Sequence, residues 1–223
     1  EPGAGKAAVG VLEAAGYEVV LAEGRKCCGR PAASRGLLDV VRRSAEHNIR
    51  LLAGTTEPIV FLEPSCWSMF VDEYRQLGIT GAEELADRCV LFEDLIADVL
   101  ERDPDALALR DGGARVVIHD HCHAKALRRA DRAATLAERI PESSVALLES
   151  GCCGMAGAFG MLEEKDELSR KVAKPLVEML EQLPGDARVV ASGFSCRHQV
   201  RHLTGIDPLH IAELVAECLD PDA

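Results

Sequence analysis

The sequence predicts an α/β fold made of two tandem Rossmann-like αβ repeats with parallel sheets. Three observations predict it. Apolar runs of strand length alternate with stretches of helical period, the pattern of parallel strands joined by helical crossovers. The chain repeats itself, with Cys-Cys-Gly at 27–29 and again at 152–154, and internal repetition takes precedence in reading a fold. Cysteines also follow the predicted strands, and open parallel sheets build their sites at strand carboxyl ends.

The elements follow in order. A helix is expected over 4–15, then a strand over 17–22 that leads to Cys27-Cys28. A helix over 35–53 precedes the β-type run Ile59-Val60-Phe61-Leu62, placed in a strand over 59–63. That strand runs into Ser65-Cys66 and a helix over 66–77. A short edge strand near 89–91 and a helix over 92–101 close the first repeat. Asp103-Pro104-Asp105 through Asp111-Gly112-Gly113 reads as a linker, so the repeats are assigned to 1–105 and 106–223. The second repeat opens with a strand over 116–120 leading into Cys122, then a helix over 124–139. A strand over 144–149 leads into Cys152-Cys153, a helix covers 163–183, and a strand over 188–192 leads into Cys196. Helices over 196–203 and 210–219 complete it. Cys152 lies 125 residues after Cys27, and that spacing puts the counterpart of the 116–120 strand before Glu1. The first repeat is therefore expected to be truncated at its N-terminus, and the chain is read as a fragment or a processed piece.

Composition narrows the function. A net charge of -12 over 223 residues argues against a nucleic-acid partner, because a phosphate backbone needs a basic patch. It also disfavours charge-driven docking on anionic lipid. No apolar run approaches the ~20 residues that span a bilayer, and no signal peptide is visible. A cytoplasmic location is expected, free or peripheral at the inner membrane. The nine cysteines are odd in number and clustered, which reads as metal-binding or redox-active before it reads as disulfide-stapled.

Cys122, Cys152, Cys153 and Cys196 give the second repeat four thiols. Four thiolates match a cubane iron–sulfur cluster or a tetrahedral zinc. The long gaps between them mean a site assembled from three loops of a folded scaffold. Gly151 and Gly154 bracket the pair and let the backbone turn and approach a cofactor closely. The first repeat has Cys27, Cys28 and Cys66, a site that is either incomplete or degenerate and metal-free. Cys89 and Cys218 fall outside the repeat and read as core. His119, His121 and His123 flank Cys122, and His123 is the candidate for a place beside the cofactor. Trp67 either shields the site or packs in the core. The glycine-rich run 154–160 lacks the ending of a phosphate loop. Cys152-Cys153 could also exchange with a disulfide, although the neighbouring Glu149 does not favour a thiolate. Neither a nucleophile elbow nor a carboxylate pair for hydrolysis is recognisable.

Five blocks carry a family resemblance: Lys26-Cys27-Cys28-Gly29-Arg30-Pro31, Glu63-Pro64-Ser65-Cys66, His121-Cys122-His123-Ala124-Lys125-Ala126-Leu127, Ser150 through Gly157, and Gly193-Phe194-Ser195-Cys196. Together they resemble the cysteine-rich "CCG" domains. These include the B subunit of heterodisulfide reductase and the iron–sulfur subunits of glycolate oxidase, anaerobic glycerol-3-phosphate dehydrogenase and lactate-utilisation systems. The match is closest to the C-terminal part of fused flavin/iron–sulfur D-2-hydroxy-acid dehydrogenases. The resemblance implies a [4Fe–4S] cluster on Cys122, Cys152, Cys153 and Cys196, with zinc as the alternative occupant. It also implies FAD and ferredoxin-type domains upstream in the same parent protein or complex. Electrons from a D-2-hydroxy acid (lactate, glycolate or 2-hydroxyglutarate-like) would pass toward a quinone or another acceptor. The family motif often ends in Cys-x-x-Cys, whereas Met69 and Gln199 stand at the last positions here. That departure argues for an ordinary four-thiolate centre over a five-cysteine one.

Overall fold

The computed structural model describes residues 1–221. Helix α1 (Pro2–Ala14) starts with a proline in its first turn, where the missing N–H costs nothing. A short α2 (Arg30–Ala33) precedes α3 (Leu38–Leu52). Val41, Ala45 and Ile49 recur on one face of α3 and are buried. Strand β1 (Ile59–Phe61) runs into α4 (Pro64–Ser68), a π-helical turn over Met69–Glu73 and α5 (Tyr74–Gln76). Then come α6 (Ala82–Ala86), β2 (Cys89–Leu91) and α7 (Phe92–Arg102). Strand β3 (Arg115–Ile118) is followed by α8 (Cys122–Ala126), α9 (Arg132–Ala137) and β4 (Ser144–Leu147). The chain goes on through α10 (Glu163–Glu181), β5 (Arg188–Val190), α11 (Phe194–Thr204) and α12 (Ile211–Glu217).

The strands form two parallel sheets, so the α/β class holds. In one, β1 pairs with β2, Val60 opposite Val90. In the other, β3 lies between β4 and β5, with Val117 opposite both Ala146 and Val189. Val116, Val117 and Ile118 of β3 are all buried, as expected of a central parallel strand.

Two expectations need correction. Residues 17–22 are not a strand, and Val20 and Leu21 are 80% and 66% exposed. Their counterpart β4 is held only by β3. Among the described residues the first half has no equivalent of β3, so 17–22 has no ladder to join. The helix expected over 124–139 is two helices, α8 and α9, because Arg128 and Asp131 take positive φ (58° and 72°). The buried Asp120 carboxylate stabilises that break by accepting from Asp131 N at 3.0 Å.

The main core draws on both halves of the chain. Helix α7 packs against α9, and α12 packs against α1. Each half therefore lays its last helix on the other half. Ala8, Val11 and Leu12 of α1 and Phe92, Ile96 and Leu100 of α7 join one cluster with Val116, Ile118, Val190, Ile211, Leu214 and Val215. Smaller clusters form around Cys28, Val41, Phe70 and Tyr74 in the first half and around Cys153, Leu176, Val189 and Cys196 in the second.

Candidate metal centre

Three adjacent parallel strands deliver the second-half thiols. Strand β3 ends at Ile118 and the chain reaches Cys122 at the start of α8. Strand β4 leads to Cys152-Cys153, and β5 leads to Cys196 in the first turn of α11. The four thiols form a contact chain. Cys152 interacts with Cys122 and with Cys153, and Cys153 interacts with Cys196. No disulfide joins them, and Cys153 and Cys196 are buried. Cys152 and Cys196 are held well below the ordinary thiol range, chiefly by the neighbouring Cys122 and Cys153 respectively. Cys122 and Cys153 are pushed up, chiefly by the neighbouring Cys152 and by burial.

Backbone and side-chain donors complete the shell. Gly154 N–H points at Cys152 Sγ at 3.3 Å, and Gly29 N–H points at Cys27 Sγ at 3.5 Å. Both glycines have positive φ, 84° and 93°, a conformation that other residues adopt at a cost. The recurrence of Cys-Cys-Gly in both halves thus has one physical cause. Gly151, the other bracketing glycine, faces open space. The buried His119 bonds Ser150 Oγ through Nδ1 at 2.7 Å and helps hold Cys196 low. Lys125 Nζ donates to Ser150 O at 2.7 Å, tying α8 to the loop of the Cys pair.

The three histidines have different fates. The ligand atoms of His121, Cys122 and His123 lie within 4.8 Å of one another. His121 Nδ1 is already used, accepting from His123 N at 3.1 Å as the α8 cap. His123 Nδ1 is buried without a partner, and burial holds its ring down at about 4, with the Arg30 charge adding to the effect.

In the first half Cys28 Sγ lies 3.1 Å from Cys66 Sγ, while Cys27 is exposed. The Cys66 contact lowers Cys28 to about 7. Cys66 is pushed up by its contact with Cys28 and by burial. Trp67 packs with Leu91 and Ala124, between the halves. Cys89 donates to Leu85 O at 3.2 Å, and Cys218 is buried in the main core. Neither joins a thiol cluster.

Sequence reasoning missed the residue that ties the two halves together at this end. Glu63 caps α4 by accepting from Ser65 N (3.2 Å) and Ser65 Oγ (2.7 Å) through Oε1. Its other oxygen accepts from Phe194 N in the Cys196 loop at 2.7 Å, and His121 Nε2 is 3.7 Å from Oε1. Arg30 was missed too. It donates to Ser65 O at 3.3 Å and pairs with Ser68 and Glu73. Both lie inside conspicuous motif blocks, but a partner 131 residues away leaves no local trace.

A cysteine-rich domain family model matches residues 1–71 and 116–201. The chain belongs to the cysteine-rich CCG domain family. This CCG chain is 28% identical over 222 residues to the C subunit of anaerobic glycerol-3-phosphate dehydrogenase from Escherichia coli K12, covering 98% of this chain and 56% of that one. It is 29% identical over 229 residues to lactate utilization protein A of Bacillus pumilus, covering 96% and 93%. It is 28% identical over 203 residues to the B subunit of the CoM/CoB fumarate reductase from Methanothermobacter marburgensis, covering 88% and 38%. The chain thus spans little more than half of the dehydrogenase polypeptide. Among the described residues no helix is long and apolar enough to cross a membrane.

The donor set of the CCG chain fits a thiolate-bound metal group. Four soft ligands form one contact chain, two of them already acid-shifted, with an N–H directed at sulfur.

Proposed function

We propose that this chain is an electron-transfer module whose Cys122, Cys152, Cys153 and Cys196 hold a [4Fe–4S] cluster. The observation that carries the reading is the contact chain of four unbridged thiols from three adjacent strand ends. When bound, such a cluster supplies a one-electron carrier. The chain's own residues do the rest. Gly154 N–H and His119 place positive dipoles beside the sulfurs, which favours the more negative, reduced state. Met155, Leu176 and Val200 pack around Cys153 and Cys196 and keep water out. Residues 1–105 and 106–223 are read as two tandem CCG repeats. Cys27, Cys28 and Cys66 form a second, three-thiol site, either completed from outside the chain or metal-free.

The relatives' names, belonging to a dehydrogenase, a reductase and a lactate utilization protein, favour a redox centre over structural zinc. They support a place in a larger oxidoreductase, and we assign that parent to flavin-linked oxidation of a D-2-hydroxy acid. FAD and ferredoxin-type domains would deliver electrons, and a quinone or other acceptor would receive them, in the cytoplasm, free or peripheral at the inner membrane.

Anaerobic reconstitution with iron and sulfide tests this. The expected product is brown protein with acid-labile sulfide, lost in Cys196→Ser and kept in Cys89→Ser. A colourless chain with one zinc and no sulfide overturns it.

A further inference from the structure

Glu93 is a buried carboxyl without a cation beside it. It is the second residue of α7 and is 4% exposed. Its Oε2 and the buried Ser192 hydroxyl each lack a partner at hydrogen-bonding geometry, although the hydroxyl faces the carboxyl and works to lower it. The charged groups acting on it are Asp94 of its own helix and Asp120 of the loop after β3, both acidic. Arg129 and Arg132 approach from the side of α9 but pair with Asp94. Burial holds the Glu93 carboxyl up at about 7.

The fold itself does not call for an acid at this position. Helix α12 is the counterpart of α7. It follows Leu209, which bridges Val190 in parallel, as α7 follows β2. Each helix begins with a fully buried apolar residue, Phe92 or Ile211, and the next position in α12 is Ala212, also fully buried. One repeat thus fills the site with a methyl group and the other with a carboxyl. A buried carboxyl with no cation beside it and one oxygen unsatisfied is costly, and perturbed groups of this kind gather at functional sites.

Ser192 opens the loop that carries Cys196. Its carbonyl accepts from Arg197 at 2.8 Å, and Gly193 sits so close that an added Cβ would lie 3.2 Å from Cys196 Sγ. Glu93 therefore lies behind the wall of the thiol site.

We propose that Glu93 takes up and returns the proton that accompanies one-electron reduction at the Cys122, Cys152, Cys153 and Cys196 site. This rests on the electron-transfer reading above. One electron from a one-electron donor, such as a reduced flavin, adds one negative charge at the site. One proton from water forms an O–H bond on the Glu93 carboxylate and restores neutrality. On oxidation the electron leaves to the acceptor and the proton returns to water. The negative charge added at the site repels a carboxylate on Glu93, so reduction raises the proton affinity of Glu93.

The test is a redox titration of the anaerobically reconstituted full chain between about pH 5.5 and 8.5, for wild type, Glu93→Gln and Glu93→Ala. Alanine is included because α12 carries it at the matching position. The wild-type midpoint should fall with rising pH, by about 59 mV in total for each tenfold shift of the Glu93 proton affinity on reduction. Both variants should be flat in that range. A protonated-carboxyl band should appear in the wild-type reduced-minus-oxidised infrared spectrum and be missing in the variants. A flat wild-type midpoint, or variants that keep the fall, overturns the role of Glu93 and leaves the electron carrier standing. A site that takes no electron overturns both.

Discussion

At the scale of single residues, two buried titratable groups pull stability in opposite directions. His210 is fully buried, bonded through Nε2 to Leu62 O at 2.8 Å and accepting at Nδ1 from Ala212 N at 3.0 Å. The Nδ1 bond requires the neutral ring, and burial lowers it to about 4 even though the Leu62 carbonyl favours the protonated form. The unfolded chain takes up this proton near pH 6.5. The His210 contribution is therefore whole above that pH and is lost as pH falls toward 4, by up to about 3 kcal/mol. Glu93 behaves in reverse. Its folded-state value, raised to about 7, lies above the unfolded one near 4.3. Its contribution is present below the unfolded value and is lost as pH rises to 7, by a few kcal/mol. Urea unfolding from pH 4.5 to 7.5 should show the two opposed slopes separately. Glu93→Gln should lose stability more steeply than wild type on acidification, and His210→Gln should lose it on alkalinisation. Parallel curves for the two variants would refute the assignment.

At the scale of elements, the two bracketing glycines give a sharp contrast. A Cβ on Gly154 would lie 2.2 Å from Ser169 O in α10, at a φ of 84°. Ser169 Oγ also donates to Gly154 O at 2.9 Å. Gly154→Ala should destabilise by about 3 kcal/mol or more and lower metal content. Gly151→Ala, facing open space, should change stability by about 0.5 kcal/mol or less. Equal effects in thermal melts would mean that the loop, not α10, sets the turn. The same contrast shows what was legible in the sequence. Strands β1 to β5, the long helices and the gathering of Cys122, Cys152, Cys153 and Cys196 followed from periodicity and from the strand-end rule. The break between α8 and α9 did not, because Arg128 and Asp131 reach positive φ without glycine or proline to mark it. Segment 17–22 has a strand-like composition, but a strand exists only where a neighbour offers a ladder. Glu63 and Glu93 draw their meaning from contacts with the other half of the chain, which no local window contains.

At the scale of the whole molecule, the exchange of α7 and α12 makes the two halves one cooperative unit. Trp67, the only tryptophan, sits where the halves meet, and its fluorescence reports their separation. Its unfolding curve in urea should coincide with the loss of helical circular dichroism, giving a single transition. Two separated transitions would show that the halves melt independently. The exchange also orders events on the ribosome. The apolar face of α1 leaves the exit tunnel well before its cover, α12, which begins at Ile211, about 200 residues later. At about 5–20 residues per second, that face waits roughly 10–40 s in the nascent chain, an interval in which a holding chaperone has a surface to grip.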